Sequence, residues 1–318
     1  MKGWEFTTTN APLRLVEKEN PKATAGRIVI DVKAAGLCHS DVSGLTNESW
    51  LDIITNRPII MGHEVAGIVS EVGEGVTQFK VGDRVALCPV AKDGSGFGPG
   101  FAYDGPFSNK VCCPAEDVVR IPDNVSFAQA AAATDAGMTS YHALMRTGGA
   151  KAGMKVGIIG IGGLGQIAAK AALVKGCEVF VADTSPAARE LAASIGVKHI
   201  VENAIDLAQF EPDLIVDYAG FGVTTAQAID AVRPGGKVVL VGMGKSTAEI
   251  STNNLILKAV QLCGSIGGDV DDVAGVLELM ASGDLDPLLN HITFDEIPEG
   301  LKKLERGEVK GRLVAIID

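Results

Sequence analysis

The chemistry-bearing residues of the chain fall into two groups. The first is Cys38-His39-Ser40-Asp41, followed by Gly62-His63-Glu64, with Asp135 much further along. A thiolate and an imidazole are good zinc ligands, and a catalytic zinc takes three protein ligands while a fourth position stays open for water or substrate. Taken singly, Cys38 reads equally as a small buried hydrophobe and His63 as a core histidine. Spacing alone leaves both readings open. The second group is Gly160-Ile161-Gly162-Gly163-Leu164-Gly165, placed after Val156-Gly157-Ile158-Ile159 and before an Ala-rich stretch, with Asp183 ending the next apolar run. Glycines there let the backbone approach a pyrophosphate, the helix N-terminus supplies oriented N–H groups, and the acid accepts hydrogen bonds from ribose hydroxyls. Asp183 favours NAD over NADP, because a 2′-phosphate would meet a carboxylate and Thr184-Ser185-Pro186 offers no arginine to neutralise it. The competing reading is a tight strand-to-helix turn with no ligand.

These residues need elements to position them. From Gly26 to Val90 the pattern is strand-like: Ile28, Ile30 and Val32 alternate with other residues, and Val65 to Val72 and Arg84 to Leu87 are further apolar stretches. A glycine-rich irregular loop follows Pro89 and gives way to a strand around Lys110 to Cys113. Ser126 to Ala133 reads as a helix, Asp135 to Gly137 as a break, and Met138 to Arg146 as a second helix. From Lys155 short β-branched runs alternate with amphipathic stretches, with strands expected at His199–Val201, Leu214–Asp217, Lys237–Val241 and Gln261–Ile266. Such alternation predicts a doubly wound, six-stranded parallel sheet with crossover helices. Helices near Asp269 to Ala281 and Asp295 to Arg306, then a strand at Arg312 to Ile317, make a tail too small to stand alone. The expected class is therefore α/β: a β-rich domain of residues 1–136 and 267–318, and a Rossmann domain of residues 137–266.

Composition narrows the function. The chain has 318 residues, enough for two domains, with 47% hydrophobic and 21% charged residues and no apolar run long enough to cross a bilayer. Its 28 Lys and Arg against 39 Asp and Glu give a net charge of −11, which repels nucleic acid and anionic membranes and leaves small molecules as the expected partners. The N-terminal stretch lacks the apolar core of a secretory signal, so a cytoplasmic location is expected. Six irregularly spaced cysteines read as reduced thiols. The acidic run Asp269 to Asp272 reads as the first turn of a helix, since it lacks the alternating ligands of a calcium loop. His142, His199 and His291 carry no assigned role.

Cys38-His39-Ser40-Asp41, continued by Gly62-His63-Glu64-x-x-Gly67-x5-Gly73-x-x-Val76, resembles the zinc signature of the medium-chain, zinc-dependent alcohol dehydrogenases, and the likeness runs to the C-terminus. The resemblance implies a GroES-like catalytic domain ahead of the Rossmann domain, and hydride transfer between NAD(H) and an alcohol or its aldehyde or ketone. It makes Cys38 and His63 zinc ligands. The stretch Thr134 to His142 matches the place of the third ligand, which makes that ligand Asp135. By the same resemblance Ser40 bonds the substrate hydroxyl, Asp41 orients His63 and Glu64 sits beside the metal. Thr139 touches the nicotinamide, His39 and Arg312 the pyrophosphate, Arg189 the adenosine side, and Val241 and Ser265 the carboxamide. Trp50 and the loop opening at Pro89 line the substrate pocket. The family also implies a homodimer or homotetramer, with a strand near Ala248 to Ser251 as a candidate pairing edge.

The chain departs from that pattern twice. Many relatives carry a lobe of four cysteines holding a structural zinc, whereas only Cys88 lies between Val85 and Val111; adjacent Cys112 and Cys113 face opposite sides of a strand and cannot build such a cage. One catalytic zinc per chain and no structural zinc are expected. Ser43 stands where many relatives have a proton-relaying histidine, and a hydroxyl is no titrating base. The readings weighed against this one are a zinc-free enoyl or quinone reductase of the same superfamily and a non-catalytic nucleotide-binding relative.

Overall fold

The computed structural model describes residues 1–317. It divides into two compact units, Met1–Ala136 with Asp269–Ala281 and Leu288–Asp318, and Gly137–Gly268 with Ser282–Pro287. Residues 267–268 and 282–287, expected in the first unit, therefore go with the second.

The first unit is built around Arg27–Leu37, an eleven-residue strand with eight buried residues. It pairs antiparallel with Glu64–Val72, with Arg312–Ile316 and with Lys110–Pro114. Arg84–Leu87 and Val118–Arg120 extend the sheet on one side, and Leu289–Thr293 pairs parallel with Arg312–Ile316 on the other. A smaller sheet joins Lys2–Phe6 to Arg14–Glu17 and Ile59–Ile60. Between them lies a core containing Phe6, Ile28, Ile30, Leu37, Ile54, Ile60, Leu87 and Phe107. Cys113 is buried while Cys112 is partly exposed, as neighbours on one strand must be. The helix expected near Asp269 runs Val270–Ala281, and the Asp269 carboxylate accepts from the backbone N–H groups of Asp271 and Asp272 at its start. That is the capping geometry an acidic first turn favours.

The second unit holds a six-stranded parallel sheet in the order His199–Val201, Glu178–Ala182, Lys155–Ile159, Leu214–Asp217, Lys237–Leu240 and Gln261–Gly264. In chain order this is 3-2-1-4-5-6, the doubly wound arrangement, with the order reversing between Lys155–Ile159 and Leu214–Asp217.

Two expectations need correction. Residues 248–251 form no strand: they run as irregular backbone into the helix Thr252–Leu257, and Ser251 is its N-cap, accepting from the N–H of Asn254. A serine that satisfies an open helix end has no ladder to join, and the edge of the sheet is Gln261–Gly264 instead. The break expected at Asp135–Gly137 is also absent. After the helix Phe127–Ala132 the chain widens into a π-turn over Ala133–Gly137, resumes α geometry at Met138–Tyr141, and widens again over His142–Thr147. Wide turns of this kind accompany functional sites in helices, and the first of them carries Asp135. Among the described residues no helix is long and apolar enough to cross a membrane.

Candidate metal and dinucleotide sites

Cys38 immediately follows the long strand and is the N-cap of the helix His39–Thr46. Its N–H donates to Asp41 Oδ2 at 2.9 Å, while Asp41 Oδ1 lies 3.1 Å from His63 Nδ1. One buried carboxylate thus ties both residues, and the helix puts it there because Asp41 follows Cys38 by one turn. His63 is buried and immediately precedes the strand Glu64–Val72. Its other nitrogen, Nε2, is 3.5 Å from Asp135 Oδ2, and Cys38 Sγ is 3.3 Å from the same oxygen. The three donor atoms all lie within 4.8 Å of one another.

This geometry fits zinc. Bonds of about 2.0–2.3 Å to nitrogen, oxygen and sulfur make tetrahedron edges of roughly 3.3–3.8 Å. A soft thiolate, an imidazole and a carboxylate are ligands zinc accepts, and the Nδ1 contact to Asp41 leaves Nε2 for the metal. Ser40 Oγ lies 3.6 Å from Cys38 Sγ. Ser43 is half-buried on the same helix.

The charges of the three donors and their neighbours depend strongly on one another. Burial opposes a charged His63, yet the carboxylates of Asp41 and Asp135 outweigh it and hold its proton well above the usual imidazole range. Asp135 moves the other way: burial resists its charge, but His63 and Arg312 keep it ionised far below the ordinary carboxylate range. A metal must therefore displace a proton from His63. Its affinity accordingly rises with pH and falls by about tenfold for each unit of acidification per proton displaced. Competition with a metal-sensitive dye at graded pH checks this; an affinity flat from pH 5 to 8 contradicts it.

Behind the cage Glu64 is completely buried. Its Oε1 accepts from the N–H of Ala136 at 2.9 Å and from Arg312 Nη2, and its Oε2 accepts from Arg312 Nε at 3.1 Å. Arg312 Nη2 also lies 3.5 Å from Asp135 Oδ2. Burial pushes the Glu64 carboxyl up to about 7 against the pull of that guanidinium. Gly36 faces it across the ladder, where any Cβ would overlap the carboxylate. Arg312, expected on a pyrophosphate, is thus a buried counter-ion with most of its donors committed to Glu64 and Asp135. His39 is exposed at the first turn of its helix. The partly buried ring of Trp50 packs 6.4 Å from that of Phe101, and Phe101 in turn lies 5.3 Å from the His63 ring. Pro89 accepts a backbone bond from Gly98 and helps shape the same loop. Cys88 donates to the carbonyl of Val90 at 3.4 Å, and burial pushes its thiol up to about 12, the state of a packing cysteine. Among the described residues, Cys38, His63 and Asp135 form the one His, Cys and carboxylate group with metal-holding spacing.

In the second unit Gly160 follows the first sheet strand, and Gly165 opens the helix Gly165–Val174. A Cβ on Gly165 would collide with the carbonyl of Gly160, so this turn closes only around glycine. Exposed Gly162, with Gly163 and Leu164, completes it. Asp183 sits beside the turn: its Oδ2 accepts from the Ile161 N–H at 2.7 Å and its Oδ1 from the Ser185 N–H at 2.8 Å. Arg189 folds back so that Nη1 donates to the carbonyls of Asp183 and Thr184. Thr184-Ser185-Pro186 itself offers no arginine, but one helical turn brings Arg189, expected on the adenosine side, back beside Asp183. Thr139 is buried. Val241 and Ser265 follow strands at the carboxyl end of the sheet, their N–H groups bonded to Asp217 and Leu240 carbonyls, the end where doubly wound sheets take ligands. Residues missed by the sequence reading include Phe101 and Asp217. Asp217 is wholly buried and accepts from the N–H groups of Ala219 and Gly220 and from the hydroxyls of Thr224 and Thr225. An acid ending an apolar strand was its only signal.

A GroES-like sheet bearing a sulfur, nitrogen and oxygen cage, in one chain with a 3-2-1-4-5-6 sheet, defines a medium-chain dehydrogenase/reductase. Residues 24–123 match the alcohol dehydrogenase GroES-like domain and residues 163–282 the zinc-binding dehydrogenase domain. An alcohol dehydrogenase of Geobacillus stearothermophilus is 32% identical, over 96% of this chain and 97% of its own. The crystal structure of the Aeropyrum pernix alcohol dehydrogenase superposes with a TM-score of 0.90 at 26% identity, covering 99% of this chain and 100% of that one. Acetophenone reductase from Geotrichum candidum, solved with NAD, gives 0.88 at 28% identity over 99% and 96%. The chain belongs to the zinc-type alcohol dehydrogenase family, and is an oxidoreductase of that type.

Proposed function

We propose that the chain interconverts an alcohol and its aldehyde or ketone with NAD(H) as hydride carrier, using one zinc held by Cys38, His63 and Asp135 and no structural zinc. The observation that carries this is the convergence of those three donors, with Ser40 beside them. A zinc ion held there would supply Lewis acidity, which would lower the pKa of an alcohol hydroxyl toward neutrality. The protein's own groups do the rest. Asp41 fixes the tautomer of His63 through Nδ1. Ser40 Oγ accepts the hydroxyl proton as its own passes to water and on to solvent, since Ser43 supplies no titrating base. Trp50, Phe101 and the loop from Pro89 wall the substrate position and exclude water. The backbone of Gly160 to Gly165 holds the pyrophosphate, Asp183 the adenosine ribose, and Thr139, Val241 and Ser265 the nicotinamide end. His39 and Arg189 assist on the phosphate and adenosine sides. A cytoplasmic homodimer or homotetramer completes the proposal.

Elemental mass spectrometry of the desalted protein, followed by an alcohol panel with NAD, tests it. About one zinc per chain with alcohol-dependent NADH formation is the expected result. Metal-free protein prepared without chelator, with no turnover of any alcohol, refutes it. Cofactor choice has its own check. Asp183→Ala removes the carboxylate and leaves Arg189 at the ribose side, so the NADP-to-NAD ratio of kcat/KM is expected to rise by about tenfold or more. An unchanged ratio removes Asp183 from cofactor selection.

A further inference from the structure

The loop after Pro89 does more than wall a pocket. Gly105 N–H donates to the Ile60 carbonyl at 2.8 Å, Phe107 N–H to the Met61 carbonyl at 2.9 Å, and Ile60 N–H to Asp104 Oδ1 at 2.8 Å. The loop is therefore laddered onto the two residues that lead into Gly62 and His63. It also lies flush on them: a Cβ at Gly100 or at Gly105 would overlap the carbonyl of Gly62. From this base Phe101, 7% exposed, sets its ring 5.3 Å from the His63 imidazole, tilted 47°, and is backed by Phe97 at 5.3 Å and Trp50 at 6.4 Å.

The Nδ1 contact to Asp41 fixes one direction of the imidazole and leaves rotation about that contact. Such rotation would sweep Nε2 away from Cys38 and Asp135. A ring packed against the imidazole blocks it. We propose that the loop of residues 97–107 is a metal-free clamp on His63, with Phe101 as the positioning residue that holds Nε2 in the cage. The proposal rests on Cys38, His63 and Asp135 being a zinc site. It adds that affinity and ligand geometry depend on an aromatic side chain that touches no metal.

The test uses the full zinc-loaded chain and three variants: Phe101→Ala, Phe101→Tyr, and Phe79→Ala as a control. Phe79 is a buried phenylalanine of the same core whose ring faces Arg120 at 5.1 Å. The readouts are zinc transfer to a chromogenic chelator, the visible bands of the cobalt-substituted protein, and the apparent Tm. Phe101→Ala is expected to speed zinc release by about tenfold or more, the scale of losing a group that orients a ligand, and to shift the cobalt bands. Phe101→Tyr keeps the ring and should stay near the parent rate. Phe79→Ala should lower Tm without moving either metal readout. Equal acceleration in Phe101→Ala and Phe79→Ala, or a Phe101→Ala chain with parental release and cobalt bands, overturns the clamp. A parent chain that takes up no metal overturns the zinc reading itself, and is seen before any variant is compared.

Discussion

Cys38→Ala is expected to lose its zinc and to lower kcat/KM for alcohol oxidation by about 10³-fold or more. The magnitude follows from the several kcal/mol that a Lewis acid contributes to a charged transition state, at about 1.4 kcal/mol per tenfold. The substitution removes the strongest donor of a three-donor cage while leaving the Asp41 carboxylate on His63 Nδ1 and the backbone N–H of residue 38. The fold should therefore persist, because a small buried side chain replaces another and the strand Arg27–Leu37 is paired independently of it. Metal content and turnover measured on one preparation settle the matter. A folded Cys38→Ala chain that retains a zinc and parental activity means that the metal, or the chemistry, lies elsewhere.

The second large effect is one of stability. Glu64→Met strands the Arg312 guanidinium, which is 3% exposed, without its bidentate partner. Leaving one charge of a buried pair uncompensated costs about 3–5 kcal/mol, which for a unit of this size lowers the apparent Tm by about 10 °C. A further consequence is local. Arg312 Nη2 already lies 3.5 Å from Asp135 Oδ2, so the freed guanidinium turns to that carboxylate and competes with the metal for it. The double variant Glu64→Met with Arg312→Met removes both charges together and should recover most of the loss. Thermal scans of the parent, the two single variants and the double variant supply the cycle. Single variants within a degree or two of the parent remove the pair from the stability of the sheet.

Much of this was legible in the sequence wherever function is carried by a local pattern. The glycine turn at 160–165 announces itself because a strand, a tight turn and a helix are consecutive. The six parallel strands appear close to their expected positions because buried parallel strands read as short apolar runs. Cys38 and His63 stand out by residue type, although only the family resemblance joined Asp135 to them. What stayed hidden is non-local or depends on the backbone. No periodicity tells that Arg312 reaches Glu64, or that an Ala-rich helix widens to a π-turn where a break was expected. The strand at 248–251 was implied by the family resemblance alone; Ala248-Glu249-Ile250-Ser251 carries no strand pattern of its own, and Ser251 caps a helix. Phe101 gave no signal, since an aromatic in a glycine-rich loop is ordinary until the loop is seen lying on His63.

The bond between Glu64 and Arg312 joins positions 248 residues apart. On a ribosome adding roughly 5–20 residues per second, the glutamate waits about 12 to 50 seconds for its counter-charge. During that interval the strand Arg27–Leu37 lacks its partner Arg312–Ile316, and a carboxylate at position 64 is better left in water than buried alone. The six strands of the dinucleotide sheet, by contrast, all lie between Lys155 and Gly264. Synthesis therefore has an order: the parallel sheet has all its strands while the antiparallel sheet still waits for Leu289–Thr293 and Arg312–Ile316.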